Sequence, residues 1–309
     1  MHDEFNPEEM APDPVPLAAF QHFRSGQFAL GSALIFLLMA AIYYQVLGKL
    51  VIDWWQLPDF SHGFLVPIFA AYLVWDKRTV VRDTRIAPSW NGIAVMALGI
   101  AVLLLGIYGS ELFLSRVSLV IVLAGLVLCF GGRPLLKELR FALLVLLLAI
   151  PLPTIVFNQI TFPLQILASK LASGLLPLFA VPVLREGNVI VLPAMKLEVA
   201  EACSGIRSLV SLLTLGIMFG YFTDQRGWVR VFIALSTIPI AIVANAARVA
   251  GTGIAAHRFG PEAAEGFLHE SAGMVVFAVA FVLMIAVQRL LVRLAPPPPE
   301  SAQPIAMAS

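Results

Sequence analysis

Eight mostly apolar runs, most of them close to the length that crosses a hydrocarbon layer, constrain this chain more than any other feature: 28–48, 63–75, 90–109, 115–131, 141–157, 205–222, 229–249 and 271–290. A spanning helix needs about 20 such residues, because lipid offers no water to satisfy an open backbone. The second run is short and begins in the headgroup zone. Charged residues make up only 13% of the chain and mean hydropathy is +0.90, whereas a soluble domain carries about 25% charge. The expected fold is therefore all-α: a polytopic integral membrane protein with about eight transmembrane helices.

Two stretches depart from this pattern. Residues 158–182 are apolar but interrupted by Pro163, Pro177 and Pro182, with Gln165, Ser169, Lys170 and Ser173 between them. They read as an interfacial or re-entrant helix. Val183–Val199 then mixes β-branched residues with Arg185, Glu186, Gly187, Asn188, Lys196 and Glu198, which suggests an extended strand pair on one face of the membrane.

Basic residues set the orientation. Lys77, Arg78, Arg82 and Arg85 lie in one interval between spans, Arg133, Lys137 and Arg140 in another, and Arg226 and Arg230 in a third. Arg24, Arg289 and Arg293 flank the first and last spans. With eight spans all these segments, and both termini, fall on one side, which the basic bias marks as cytoplasmic. The expected division is a cytoplasmic tail over 1–27, a transmembrane domain over 28–294 and a disordered cytoplasmic tail over 295–309. The opening residues are acidic and lack an apolar core, unlike a cleaved signal peptide. Neither the net charge of +1 nor any basic run points to nucleic acid.

The opposite face collects the chemistry. Cys203 precedes the 205–222 run, Arg248 closes the 229–249 run, and His269 opens the last one. If these helices pack together, the three residues meet near the headgroups. A helix N-terminus and a nearby cation lower a thiol's pKa from about 8.5 and favour the reactive thiolate; Cys203 has a helix start and Arg207 one turn on. A histidine in reach takes the thiol proton and returns it to a leaving amine. An arginine stabilises a developing oxyanion. Gly205 beside the thiol lets a peptide backbone approach. Arg207 is expected to pair with Glu201 or Glu198, or to assist the thiolate.

Plainer readings exist for each residue. Cys129 sits within an apolar run and behaves as a small hydrophobe, and Cys203 alone would read the same way. Arginine and histidine at helix ends are commonly interfacial anchors. What opposes this is the coincidence of three reactive types on one face of a chain whose spans are nearly free of charge, since polar groups near hydrocarbon are costly. Asp59 and His62 read as structural caps of the second span before they read as part of an entry site. His257 reads as a loop residue. His269-Glu270 does not continue as His-Glu-x-x-His, so the zinc-protease signature is missing. A metal site from Asp59, His62, His257 and His269 has no ligand spacing behind it. No metal or cofactor is expected. Two other classes stay open on the residues alone: a carrier or channel for lipid-linked or polymeric substrates, and a non-catalytic membrane assembly subunit.

The segment Glu201-Ala202-Cys203-Ser204-Gly205-Ile206-Arg207-Ser208, the Asn245-x-x-Arg248 pattern and the His269-Glu270-x-x-Gly273 pattern resemble the three signature blocks of the exosortases, relatives of the archaeosortases. Asp59-Phe60-Ser61-His62-Gly63 and Arg185-Glu186-Gly187-Asn188 extend the resemblance over most of the chain. It implies a transpeptidase-type cysteine protease of the bacterial cytoplasmic (inner) membrane, its site facing outward. Substrates would be exported proteins ending in a short motif, a transmembrane helix and a basic tail. Carried over by residue, Cys203 is the nucleophile, His269 the proton carrier and Arg248 the oxyanion or substrate stabiliser. Glu201, Ser204, Gly205, Arg207, Asn245, Glu270, Asp59 and His62 would support the site or bind substrate.

Overall fold

A computed structural model describes residues 17–193, 195–199, 205–260, 262 and 267–295, without the side chains of 17–30, 32–33 and 267–272. The chain divides into two compact units, Met1–Gly48 and Lys49–Ser309. Helix α1 (Leu17–Gln56) begins within the stretch read as tail; it belongs to the first unit as far as Gly48, and its end from Lys49 to Gln56 belongs to the second. All remaining elements belong to the second unit: α2 (Leu65–Asp76), α3 (Arg78–Asp83), α4 (Asn91–Tyr108), α5 (Leu112–Phe130), α6 (Gly132–Val145), α7 (Thr154–Leu175), strands β1 (Leu184–Glu186), β2 (Val189–Val191) and β3 (Lys196–Glu198), then α8 (Ile206–Thr223), α9 (Gly227–Phe259) and α10 (Phe267–Leu294). The fold is all-α and polytopic, as expected. Seven described helices are long and apolar enough to cross a membrane by length and composition: Leu34–Gln56, Asn91–Tyr108, Leu112–Phe130, Thr154–Phe179, Ile206–Thr223, Gly227–Phe259 and Gly273–Leu294.

The α4–α5 hairpin is packed through glycine. Gly92, Gly99 and Gly106 fall on one stripe of α4, and a Cβ at Gly99 would lie 2.5 Å from Val122 Cγ2 of α5. Small residues let membrane helices approach closely, where dispersion replaces the hydrophobic drive. The Arg116 guanidinium of α5, only 3% exposed, donates to Asp53 Oδ2 at 2.5 Å and ties the hairpin to the last turns of α1.

Helices α2 and α6 run antiparallel and mark the two ends of the unit. At one end Lys77 Nζ meets Glu138 at 3.0 Å. At the other, Trp54 Nε1 donates to Ala149 O at 2.7 Å and His62 Nε2 contacts Leu148 O at 3.1 Å. A 3₁₀ turn at Pro58–Phe64 precedes α2, and another at Leu146–Ala149 follows α6. With its turn, each helix is roughly 30 Å long, which matches the hydrocarbon core although neither helix alone does. The interval 132–140, read as a basic loop, is the start of α6, and the run 141–157 is not one helix. Pro151 and Pro153 hold 150–153 extended, because proline removes a donor and disfavours helical backbone before it.

The bundle of α8, α9 and α10 is the third part. Leu212, Ile233, Ala241, Ala280 and Met284 form its buried centre. Tyr221 donates to Asp76 at 2.7 Å, and Arg230 Nε to Asp224 O at 2.6 Å, so the α8–α9 turn lies at the Lys77 end. Arg226 binds Asp224 there at 2.6 Å and donates to Ala295 O beyond α10. Its guanidinium holds the Asp224 carboxyl below the usual carboxylate range, and the carboxylate raises Arg226 in return.

Helix α7 is one continuous element of 22 residues with Pro163 inside it, where the sequence suggested a broken stretch. Its contacts gather toward one end of the unit. Phe157 packs on Phe60 at 5.8 Å between centroids, at the His62 end. Ala168, Ala172 and Leu176 pack on Val249, Ala250 and Ala256 of α9 and on Ile190, Leu192 and Val199 of the sheet. Val249 lies beyond Asn245, which is level with the start of α8, itself bonded to Asp59. Both ends of α7 are therefore held at one end of the unit, although its apolar length is enough to cross a membrane. The expected strand pair is a three-stranded antiparallel sheet, β1-β2-β3, seated beside α7.

In a variant with Cys129 and Cys203 replaced by alanine, single cysteines at the exposed positions Ile155 and Leu178 are expected to react with an impermeant maleimide from the same side of sealed membranes. Labelling from opposite sides would show that α7 crosses.

Candidate functional site

The last helix bundle brings the flanks of the three sequence blocks together at the His62 end. Gly205 has φ of +82°, the left-handed region, and stands directly before α8. A Cβ there would lie 2.7 Å from Asn245 Cγ. Glycine is thus required twice, by the backbone and by the side chain of α9 that fills the space. These two reasons are separate from the expected one, access for a peptide backbone. Asn245 is 3% exposed, and Arg248 follows almost one helical turn later on the same helix. The Arg248 guanidinium lies against α10: a Cβ at Gly273 would be 3.4 Å from its Nη2. His269 and Glu270 belong to the first turn of α10, one turn before Gly273, with side chains outside the described residues. Glu201, Cys203 and Ser204 also lie outside the described residues.

Arg207 has a partner the sequence did not suggest: its Nε donates to Asp59 Oδ1 at 2.7 Å, and the pair joins the 3₁₀ turn to the first turn of α8. Of its expected partners, Glu201 and Cys203 lie outside the described residues. Arg207 is 47% and Asp59 25% exposed, so the pair reaches water and its energy is that of a surface bridge, about 0–1 kcal/mol. The value of the contact is positional. His62 is buried, with Nε2 turned to the Leu148 carbonyl. Gly63 lets the turn lie on the Trp54 indole, where a Cβ would come 2.2 Å from Nε1. The turn is thus clamped from both sides, in line with the structural reading of Asp59 and His62.

Trp54, Leu148 and Ala149 were missed as supports of the site; all lie in apolar context, and two act through carbonyls, which sequence does not mark. Gly273 was visible in its motif. His257 lies in the last turn of α9 and not in a loop. Among the described residues no group of three or more His, Cys, Asp or Glu is placed to hold a metal ion.

A multi-pass membrane protein with polar residues of the Pro58–Phe64 turn, α8 and α9 gathered at one end is the class these elements define. The family model for transmembrane exosortases matches residues 54–286, and the chain belongs to that family. The family's role is that of membrane proteases and transpeptidases. No curated protein and no solved structure matches the chain.

Gly205→Ala is expected to lower stability by roughly 1–2 kcal/mol from the left-handed backbone alone, with the Asn245 clash added to it. Thermal unfolding in detergent measures this, and an unchanged midpoint would contradict the assigned role.

Proposed function

We propose that this protein is a membrane-embedded cysteine protease or transpeptidase that cleaves C-terminal sorting signals from exported, membrane-tethered proteins. Cys203 attacks the scissile carbonyl as a thiolate and forms an acyl-enzyme. His269 takes the thiol proton and returns it to the departing amine. Arg248 stabilises the oxyanion. Water or an acceptor amine then releases the product.

The observation that carries this reading is the convergence of the described neighbours of all three residues. Gly205 meets Asn245, one turn from Arg248, and Arg248 lies on Gly273, one turn from His269. Cys203 is two residues from Gly205 and His269 four from Gly273 along the chain, which supports this reading. Asn245 supports the start of α8, while Asp59, His62 and Arg207 hold that start in place. Glu201, Ser204 and Glu270 are assigned supporting roles at the thiol and the histidine. Substrates are exported proteins with a short motif, one transmembrane helix and a basic tail. The enzyme resides in the bacterial cytoplasmic membrane. The end carrying Lys77, Arg226 and Arg230 faces the cytoplasm, following the basic bias, and the site faces outward.

Co-expression with a tagged exported protein of that architecture tests the reading. Wild type is expected to release the tag, while Cys203→Ala and Cys203→Ser both accumulate the full-length, membrane-bound form. Normal processing by both variants would remove the thiol from the mechanism.

A further inference from the structure

The small sheet has two edges, β1 and β3. In the pairing Val189↔Glu198, Ile190↔Leu197, Val191↔Lys196, the bonds Leu192 N to Met195 O and Val199 N to Asn188 O, both 2.9 Å, fix which residues face β2. Met195, Leu197 and Val199 point their backbone groups inward to β2. Those of Lys196 and Glu198 therefore point away from the sheet, since the pattern alternates along an antiparallel ladder. Both residues are exposed. At β1 the outward residue is Arg185, and the Gly187 carbonyl of the β1–β2 turn accepts from Ser169 Oγ of α7 at 2.9 Å and from Arg185 Nη1 at 2.8 Å, so that side of the sheet is tied to α7. Unpaired N–H and C=O groups on a strand edge recruit another strand. Among the described residues none pairs with the outward groups of Lys196 and Glu198.

The position of β3 gives the open edge a use. Its inward side chain, Leu197, packs on the core that Ile190, Leu192 and Val199 share with α7 and α9, so the strand is rigidly seated. From Glu198 the chain runs directly on through Val199 to Cys203. We propose that the Lys196–Glu198 edge binds the extended peptide flanking the scissile bond of the substrate, as an added antiparallel or parallel strand. Main-chain hydrogen bonds to Lys196 and Glu198 supply the affinity, and alternate side chains of the peptide face the membrane surface and the solvent. Such binding reads backbone and tolerates varied sequence, which suits an enzyme acting on several exported proteins. The proposal rests on the protease reading above.

Proline separates edge binding from folding. At 196 or 198 it removes an N–H that points outward, so the β2–β3 bonds survive, and edge strands accept proline. With a tagged exported protein ending in a short motif, an apolar helix and a basic tail as probe, Lys196→Pro and Glu198→Pro are expected to reach wild-type abundance. They should process the probe about tenfold more slowly at low substrate, the effect of roughly one lost charge-free hydrogen bond. Arg185→Pro, on the other edge, is expected to process at the wild-type rate. In a Cys129→Ala, Cys203→Ala background, Glu198→Cys should form disulfides with every second residue of the probe's segment before its helix. Unchanged processing by both edge prolines would overturn the proposal, as would crosslinks spaced by three or four residues, or disulfides only between two copies of the protein. In those cases wild-type cleavage and its loss in Cys203→Ala would still stand. If wild type fails to cut the probe, the protease reading falls first.

Discussion

The Pro58–Phe64 turn is the joint on which the rest of the second unit depends. It is held by three contacts from distant parts of the chain: the Asp59–Arg207 pair, His62 on the Leu148 carbonyl, and Gly63 on the Trp54 ring, itself bonded to Ala149. No one contact is strong. An exposed ion pair contributes little by itself, and a neutral hydrogen bond about 1 kcal/mol. Together they register the ends of α1, α6 and α8 against one another, and α8 is the helix that follows Cys203. Disturbing the turn displaces the start of α8 before it unfolds anything.

That joint also explains how charged residues are distributed. Burying an unpaired charge in hydrocarbon is costly, so ionisable groups near the bilayer are paired or drawn to its edges. At the Lys77 end the pairs are local and self-contained: Lys77 with Glu138, Arg226 with Asp224. At the opposite end, Arg116 is committed to Asp53 and Arg207 to Asp59. The Arg248 guanidinium of α9 lies against Gly273 of α10 and so joins these two helices at the same end.

Much of this was legible in the sequence, and the failures have physical causes. Hydropathy finds α4, α5, α8, α9 and α10 because each is a long apolar run bounded by polar residues. It misplaces α6 because apolar residues continue through 150–153, where only Pro151 and Pro153 mark the break. It mistrusts α7 because Pro163 is a helix breaker in general, yet packing of Ala168, Ala172 and Leu176 holds this helix together. The polar blocks at Asn245, Arg248 and Gly273 were visible as motifs. The Asp59–Arg207 pair was not, since nothing in a sequence links residues that far apart. The need for Gly205 was seen, but its cause, Asn245 in the place of a Cβ, is a contact between two helices.

Counting crossings shows where length alone misleads. By length and composition α7 is a span, while α2 and α6 are not. The contacts give a different arrangement, in which both ends of α7 lie at one end of the unit while α2 and α6 run from one end to the other. If α7 crossed, the sheet and the start of α8 would emerge at the Lys77 end. Arg207 could not then reach Asp59, nor Tyr221 reach Asp76 at the opposite end of α8. These two contacts fix the direction of α8, and with Phe157 on Phe60 they hold both ends of α7 on the side where α8 begins. Helices α2 and α6, each completed by a 3₁₀ turn, run between the two ends instead. The described residues at the candidate site, Asp59, His62, Gly205, Arg207 and Asn245, then all lie at the His62 end. A long apolar helix held at that end, with two short helices running from one end to the other, is what seats the sheet and its β3 edge beside them.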